Sequence, residues 1–206
     1  PPLTLYVHIP WCEKKCPYCD FNSHKKIGSI PEADYIKALC NDFDRDFEIA
    51  NRVSAKSSQS IADPRQINSI FIGGGTPSLF DPLSIKILLE HIKTRTNHNA
   101  NIEITLEANP GTAEAAKFDG YREAGVNRLS IGVQSFDDIK LKMLGRLHTG
   151  RQSYNAITLA KEAGFTNYNI DLMHTLPGQT VRDGLRDLHT ALSFKPPHLS
   201  WYELTI

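Results

Sequence analysis

Residues 101–109 read Asn-Ile-Glu-Ile-Thr-Leu-Glu-Ala-Asn, and their strict alternation is the pattern that decides the fold. Successive side chains of a β-strand point to opposite faces, so the glutamates and the threonine share one face and the aliphatic residues share the other. A strand in an open, doubly wound sheet is covered by helices on both sides and is apolar on both faces. The segment therefore predicts a strand whose second face borders a polar space.

Two further segments repeat this alternation, at 127–134 (NRLSIGVQ) and around 168–176, where Asn167, Asn169 and Asp171 share a face. Strand-like and helical segments alternate along the whole chain, which favours an α/β fold with a parallel sheet. The predicted strands are 3–10, 67–75, 101–109, 127–134, 168–176 and 199–206, and the predicted helices are 31–50, 82–93, 112–124, 137–144, 152–163 and 181–192.

Two closures of a parallel sheet compete for that order of elements, an open doubly wound sheet and a complete or partial barrel. A filled eight-stranded barrel requires branched apolar residues inside, and an antiparallel sheet does not need long helical connections. Polar faces on three successive strands instead favour a wider, incomplete barrel that holds a polar ligand. We predict a partial parallel (β/α)6 TIM-like barrel that is truncated after its sixth strand.

Residues 1–206 are predicted to form one domain, the length being suited to one domain or to most of a larger one. Residues 51–66 (NRVSAKSSQSIADPRQ) are polar and serine-rich, and we expect a mobile surface insertion there. The chain begins without methionine and stops within an apolar run, so we expect a piece of a longer protein.

Composition excludes several classes of function. Lys+Arg and Asp+Glu balance at 23 each, so no net field attracts nucleic acid or an acidic membrane surface. No apolar run approaches the roughly 20 residues that span a bilayer, and no secretory signal opens the chain. Clustered free thiols suit a reducing compartment, and we expect a cytoplasmic (or organelle-matrix) protein.

Three cysteines, Cys12, Cys16 and Cys19, lie within eight residues immediately after the first predicted strand. Three thiols cannot pair off, and so short a loop is poorly suited to a disulfide framework. Clustered thiolates are typical ligands of a soft metal or an iron–sulfur cluster. Three ligands leave one coordination position open, and this favours a 4Fe-4S cluster that binds a small molecule at its free iron.

Two alternative roles for the three cysteines stay open. The first is a structural zinc site, which needs four ligands, and His8 or His24 could supply the fourth. The second is incidental burial, but apolar packing does not account for the charged Lys14 and Lys15 between the cysteines.

In parallel α/β folds, ligands bind at the carboxyl ends of the strands. Reading those ends in order gives the cysteine loop, 73–77 (GGGTP), 107–110 (EANP), 134–136 (QSF) and Asp171. A glycine triplet lets a ligand approach the backbone, although by itself it is also typical of a tight turn. No nucleotide phosphate motif follows these strands.

The motif CxxxCxxC after the first strand, with an aromatic residue before its third cysteine, resembles the radical S-adenosylmethionine (SAM) superfamily. The segments YVHIPWC, CPYCDF, FIGGGTPS, EANP, RLSIGVQSF, GRLH and NIDLMHTLPGQT resemble the branch that contains coproporphyrinogen III dehydrogenase (HemN) and HemW. These segments run from Tyr6 to Thr180. The resemblance implies a core domain whose cluster binds SAM and, after one-electron reduction, cleaves it to methionine and a 5′-deoxyadenosyl radical.

The same resemblance implies roles for particular residues. Cys12, Cys16 and Cys19 would hold the 4Fe-4S cluster. The residues expected to bind SAM or lie against it are Tyr6, Tyr18, Gly74, Gly75, Thr76, Glu107, Gln134, Arg146 and Asp171. It further implies an electron donor of the flavodoxin or ferredoxin type and a C-terminal domain that lies outside this chain.

One position separates two functions within this branch. Oxidase-type members carry CxxxCxxCxC, whereas this chain has Phe21 in place of the last cysteine. CDF and GRLH resemble the HemW group, whose function is that of a heme chaperone with heme as cargo and a heme-accepting protein as partner. The alternatives are an oxygen-independent coproporphyrinogen III oxidase, which decarboxylates a porphyrinogen, and a zinc-stapled binding module. SAM cleavage is implied in the first two cases, so whether the chain is an enzyme stays open.

The remaining candidate residues are expected to have ordinary structural roles. We expect His8 to be a satisfied interior histidine and His174 to be structural, while His148 lies near the mouth and could touch heme or SAM. Met143 and Met173 could ligate heme, but core packing is the stronger expectation. Cys40 is predicted to be buried and inert, and Lys25-Lys26 to be a solvated pair.

Overall fold

The computed structural model describes residues 3–57 and 66–205, and its centre is one six-stranded parallel sheet. Its strands are β1 and β4 to β8, because two short strands, β2 Trp11–Cys12 and β3 His24–Lys25, pair with each other outside it. The six strands follow one another in the order β1-β4-β5-β6-β7-β8, so each new strand is added to the same side of the sheet. Their bounds are β1 Leu3–Ile9, β4 Ile67–Gly74, β5 His98–Ala108, β6 Arg128–Gln134, β7 Asn167–His174 and β8 His198–Glu203. This is the predicted partial parallel barrel with six strands.

Helices connect the successive strands. They are α1 Glu32–Ser57, α2 Pro82–Arg95, α3 Thr112–Ala115, α4 Phe118–Ala124, α5 Asp138–Met143, α6 Gly150–Glu162 and α7 Val181–Ser193, with a 3₁₀ helix at Pro77–Leu79. Thr149 and Thr180 begin α6 and α7 with reciprocal capping boxes, which satisfy the free N–H groups of the first turn. Helical connections of this length are what parallel neighbours require.

The two faces of the sheet differ as the alternation predicts. On β5, Ile104 and Leu106 are buried in the main hydrophobic core together with apolar residues of the helices. The opposite face carries Glu107 on β5 and Asp171 on β7, which border a cavity rather than a helix layer. Burial of the aliphatic face stabilises the sheet, and the polar face is left to form a binding surface.

Several predicted boundaries differ from the structure, and two of the differences are large. Helix α1 continues to Ser57, seven residues beyond its predicted end, because the sequence offers no proline or glycine to stop it. Residues 51–57 are therefore helical and not part of an irregular insertion, while 58–65 lie outside the described residues. The single helix predicted at 112–124 is two helices, with a turn in which the Lys117 N–H bonds to the Glu114 carbonyl at 3.0 Å.

Lys117 explains that interruption. Its Nζ donates to the carbonyls of Ser78, Leu79 and Phe80 at 2.7–3.3 Å, and so binds the end of the 3₁₀ helix. In the part of the chain that the structure describes, none of the helices has the length and hydropathy of a membrane-crossing segment.

Candidate functional site

A cavity of about 410 Å³ lies at the carboxyl ends of the strands, a size typical of small-molecule sites. It brings together residues from every strand of the sheet except β1. Among the predicted site residues, those that line it are Cys12, Cys16, Cys19, Tyr18, Gly74, Gly75, Thr76, Glu107, Gln134, Arg146 and Asp171. Tyr6 is the exception, because it lies outside the lining and stacks on Phe71, which does line it.

The glycine loop is fixed to the start of the cysteine loop by backbone hydrogen bonds. The Gly75 N–H donates to the Ile9 carbonyl at 2.7 Å, and the Thr76 N–H donates to the Trp11 carbonyl at 2.8 Å. Gly74 has a φ of +113°, and a Cβ there would lie 2.6 Å from the His8 ring. Only glycine therefore permits this approach, which sets the glycine loop beside Cys12.

The cysteine loop has a small framework of its own that the sequence did not predict. Strand β2 (Trp11–Cys12) pairs in parallel with β3 (His24–Lys25), and this closes the loop at its base. Within it, the Cys19 N–H donates to the Cys16 carbonyl at 3.1 Å, which folds the CPYC segment into a turn. Cys12 is buried and Cys16 and Cys19 are half-buried, and all three are free thiols.

These residues suit a cluster. Three unpaired thiols border one cavity together with a glycine loop that allows close approach, and soft thiolates are the ligands of iron–sulfur clusters. Among residues 3–57 and 66–205, no three His, Cys, Asp or Glu side chains converge as ligands of a single ion. A 4Fe-4S cluster does not require such convergence, because each cysteine binds a different iron.

Glu107 ends β5 beside the glycine loop. Its Oε2 accepts a hydrogen bond from the Gly74 N–H at 3.0 Å. Burial raises the pKa of Glu107, and the bond from Gly74 partly opposes that rise. A half-buried carboxylate held in this way is suited to receive the ammonium group of a ligand, which would lower its pKa again.

Asp171 on β7 is held by three polar neighbours. Ser130 donates to its Oδ2 at 2.9 Å and the Asn169 amide donates to its Oδ1 at 2.7 Å, while Ser200 of β8 bonds to Asn169. Burial raises the pKa of Asp171, and these hydrogen bonds act against it. The polar faces of three adjacent strands thus fix one carboxylate at the floor of the cavity.

Gln134 ends β6 in a left-handed backbone conformation, with a φ of +66°. Its buried side chain accepts a hydrogen bond from the Tyr202 hydroxyl at 2.6 Å. The backbone conformation persists because the next residues are fixed by Asp187 of α7, which accepts from the Ser135 hydroxyl at 2.6 Å and from the Phe136 N–H at 3.0 Å.

Arg146 reaches the cavity from the end of α5. The Gly145 N–H bonds to the Lys142 carbonyl and the Arg146 N–H bonds to the Leu141 carbonyl, with Gly145 at a φ of +73°. This is a Schellman motif, which ends the helix and turns the chain. The guanidinium then donates to Asn109 Oδ1 at 2.6 Å, to the Gly132 carbonyl at 2.9 Å and to Cys16 Sγ at 3.8 Å.

The two predicted tyrosines differ in environment. Tyr18 lies beside Arg146 and Cys16, and burial raises its pKa to about 12, so its hydroxyl stays protonated at neutral pH. Tyr6 is 55% exposed, and its hydroxyl donates to Nδ1 of His8 at 3.2 Å. Tyr18 is therefore a direct neighbour of the cavity. Tyr6 contacts the lining residue Phe71, and its pKa is raised by burial and by the charge of Glu107.

Sequence reasoning missed three residues of the site. Tyr202 and Ser200 come from the inner face of β8, and Asn109 contacts both Thr76 and Arg146. The alternation of residues 199–206 contained the signal for the first two. The EANP segment contained Asn109, but nothing in a single strand end indicates a contact with a residue 37 positions later.

The other candidates are mostly as predicted. Both ring nitrogens of His8 have partners, the Asn22 carbonyl and the Tyr6 hydroxyl, and Met173 is buried. Met143 is 51% exposed, so its predicted core position is wrong. It lies on the side of α5 opposite the buried Leu141 and Leu144.

His148, Cys40, His174 and the lysine pair complete these candidates. His148 is buried next to the cavity without lining it, and its Nε2 donates to the Val133 carbonyl at 3.1 Å. Cys40 is buried in α1, where burial raises its pKa, and the His174 ring packs edge-on against Trp201. Lys26 forms an ion pair with Glu13, which corrects the prediction of two solvated lysines.

Fold and cavity together define a class: a partial parallel α/β barrel that binds its ligand at the strand ends, beside a three-cysteine loop. Residues 6–191 match the radical SAM superfamily, and the chain belongs to that superfamily. Membership implies a 4Fe-4S cluster and SAM as cofactors.

Curated relatives match the chain along its entire length. It is 53% identical to the heme chaperone HemW of Haemophilus influenzae and 50% identical to that of Escherichia coli, over all 206 residues. A mitochondrial radical S-adenosyl methionine domain-containing protein 1 from Bos taurus is 37% identical over 98% of the chain. The chain spans 52%, 51% and 43% of these relatives, about half their length.

Solved structures show the same fold. Coproporphyrinogen III oxidase (HemN) from Escherichia coli, described as a radical SAM enzyme, superposes with a TM-score of 0.82 at 30% identity. The superposition covers 99% of this chain and 44% of that one. The radical SAM methyltransferase TsrM from Kitasatospora setae gives a TM-score of 0.62 at 10% identity, covering 97% and 36%, which shows the fold alone.

Proposed function

We propose that this chain is the radical SAM core of a heme chaperone of the HemW type. It holds a 4Fe-4S cluster on Cys12, Cys16 and Cys19, binds SAM in the adjoining cavity, and belongs to a protein whose cargo is heme. The observation that carries the proposal is the 53% identity to a heme chaperone over all 206 residues.

The cluster and SAM would supply radical chemistry once the cluster is reduced, and the protein binds and orients both cofactors. Glu107 receives the SAM ammonium group, since Oε2 is fixed by Gly74 and the second oxygen remains available. Arg146 receives the carboxylate through guanidinium N–H groups that its three hydrogen bonds leave over. Gln134 and Asp171 complete the polar floor of the cavity, beyond the glycine loop.

Phe21 favours the chaperone over the oxidase. It lines the cavity with 63% of its surface exposed, at the position where the oxidase-type motif has a fourth cysteine. A phenyl ring there cannot ligate a metal, but it presents an apolar surface at the mouth. The TM-score of 0.82 to HemN keeps porphyrinogen oxidation as the second candidate.

The proposal includes partners that the cavity does not contain. An electron donor of the flavodoxin or ferredoxin type would reduce the cluster, and a heme-accepting protein would take the cargo. Free cysteines, including the buried Cys40, suit a reducing location such as the cytoplasm.

Anaerobic reconstitution with iron and sulfide, followed by EPR with and without SAM, tests the cofactor part. We expect a reduced 4Fe-4S signal that shifts when SAM is added. Cys16→Ala should lose the cluster, whereas Cys40→Ala, which removes a buried thiol outside the cavity, should keep it. A chain that takes up one zinc ion and no cluster, and loses zinc in Cys16→Ala, would contradict the radical SAM assignment and support a zinc staple.

Heme titration and product analysis with coproporphyrinogen III then separate the two functions. A chaperone should bind heme stoichiometrically and form no decarboxylated product. The full-length protein is needed alongside this chain, because the chain spans half of the curated relatives. Turnover of coproporphyrinogen III by the full-length protein would establish the oxidase instead.

A further inference from the structure

Asn109 joins two parts of the cavity that come from distant segments of the chain. Its Nδ2 donates to Thr76 Oγ1 of the glycine loop at 3.1 Å, and its Oδ1 accepts from Arg146 Nη2 at 2.6 Å. Its own N–H donates to the buried Ser78 hydroxyl at 3.2 Å. Both polar ends of the side chain are thus engaged, which leaves it one orientation.

The bond to Arg146 is the shortest of the three that this guanidinium makes. Nη2 is shared between Asn109 and the Gly132 carbonyl, and Nη1 contacts Cys16 Sγ at 3.8 Å. These bonds use three of the five guanidinium donors, and the Tyr18 hydroxyl is a further polar neighbour. Asn109 and Gly132 therefore fix one edge of the guanidinium and leave the remaining donors for a ligand.

The pair also separates two spaces. Cys16, Asn109 and Arg146 line the main cavity and, on their other side, a smaller cavity of about 60 Å³ bordered by Glu114 and His148. If Asn109 Oδ1 were removed, the long side chain of Arg146 would have room to turn into that second space. The position of the cation relative to Cys16 thus depends on the asparagine.

We propose that Asn109 is a positioning residue, which holds Arg146 between the glycine loop and Cys16 in the orientation that receives the SAM carboxylate. This inference rests on the proposed function, because it assumes that SAM binds in this cavity. Asn109 itself need not touch SAM, and its effect on binding passes through Arg146.

The test is SAM binding by the reconstituted protein, measured by calorimetry and by the SAM-induced EPR shift, in a double-mutant cycle. Asn109→Ala removes one hydrogen bond to a charged group and should raise the SAM dissociation constant about tenfold. Arg146→Ala should weaken binding at least as much. If Asn109 acts through Arg146, the double variant should match Arg146→Ala alone.

Asn127→Ala is the matched control for a merely structural asparagine. Asn127 bonds to the Ile104 N–H and the Ile102 carbonyl at the opposite end of the sheet. Its replacement should lower the melting temperature and leave SAM affinity unchanged. Asn109→Asp is a second variant that keeps an oxygen acceptor for Arg146, so it should bind SAM more tightly than Asn109→Ala does.

The outcomes separate the inference from the proposed function. Unchanged SAM affinity in Asn109→Ala overturns the inference, as do equal losses in Asn109→Ala and Asn109→Asp, and as does an equal effect of Asn109→Ala with and without Arg146. A wild-type protein that forms the cluster but binds no SAM contradicts the proposed function itself, and the inference falls with it.

Discussion

Gly74 combines a close approach to His8 with a left-handed backbone conformation, and replacing it tests how the glycine loop is built. In Gly74→Ala the new Cβ would lie 2.6 Å from the His8 ring, at a φ of +113° that alanine rarely adopts. We expect the free energy of unfolding to fall by about 2–4 kcal/mol, from backbone strain together with displacement of His8. Urea denaturation measures this change.

Gly164→Ala is the control, since Gly164 has a φ of +81° and nothing within 4 Å of an added Cβ. It should cost about 1 kcal/mol, the contribution of backbone conformation alone. Equal losses in the two variants would mean that the contact with His8 carries no energy.

The side on which a residue lies was predictable where the alternation of a strand determined it. It was not predictable where the packing of a short helix decides which side is buried. Glu107, Gln134 and Asp171 line the cavity because the period of a strand is two and one face is apolar. Met143 had no such constraint, because six residues of helix α5 leave its buried side undetermined by sequence. Tyr202 was missed because its importance comes from a partner, Gln134, on a strand 68 residues earlier.

At the scale of elements, Asp187 connects α7 to the turn that follows β6. Asp187→Ala would leave the buried Ser135 hydroxyl and the Phe136 N–H without their acceptor. We expect a loss of about 2–3 kcal/mol in the free energy of unfolding, measured by urea denaturation, because unsatisfied buried donors lose their solvation without replacement. SAM affinity should fall with it, since Gln134 begins the same turn.

The comparison is Asp183→Ala, which removes the half-buried acidic residue from the capping box of the same helix. That change weakens only the first turn of α7, so both stability and SAM affinity should change less than in Asp187→Ala. If the two variants were equally destabilised and bound SAM alike, the connection through Asp187 would not hold the turn.

Element type was predictable from periodicity, whereas several boundaries depended on contacts made elsewhere. The interruption between α3 and α4 follows from Lys117, whose ammonium binds three carbonyls of a 3₁₀ helix nearly 40 residues earlier. Strands β2 and β3 inside the cysteine loop have only two residues each, too few to show an alternation in the sequence. Local sequence carries no trace of such long-range partners.

For the molecule as a whole, stability should depend on pH through His148. Burial lowers the pKa of His148 to about 3 in the folded protein, against 6.5 when it is free. As the pH falls below 6.5, His148 binds a proton in the unfolded chain but stays neutral in the folded protein. The folded state therefore loses stability between pH 6.5 and pH 3. The slope is at most about 1.4 kcal/mol per pH unit.

His148→Gln isolates this contribution, because its side-chain amide can still donate to the Val133 carbonyl but does not titrate. Urea unfolding at pH 7.5 and pH 5.0 should show that wild type loses more stability than the variant, all other histidines being common to both. The same loss in both proteins would contradict a buried, neutral His148.

The overall architecture was the most predictable level. The sequence pattern distinguished a partial barrel from a doubly wound sheet, because six strands alternate with helices and carry one polar face. The cysteine spacing and the glycine loop gave the location of the site, since parallel strands bring their carboxyl ends together. The hydrogen bonds that fix Arg146 and Asp171 required the three-dimensional structure.

Since the described sheet begins with β1 and finishes with β8, each of these strands has only one neighbour. Each therefore presents a row of backbone donors and acceptors to its surroundings, and on β8 these lie beside the partly exposed Trp201 and Tyr202. An edge of this kind is a template on which a further strand can pair through backbone hydrogen bonds.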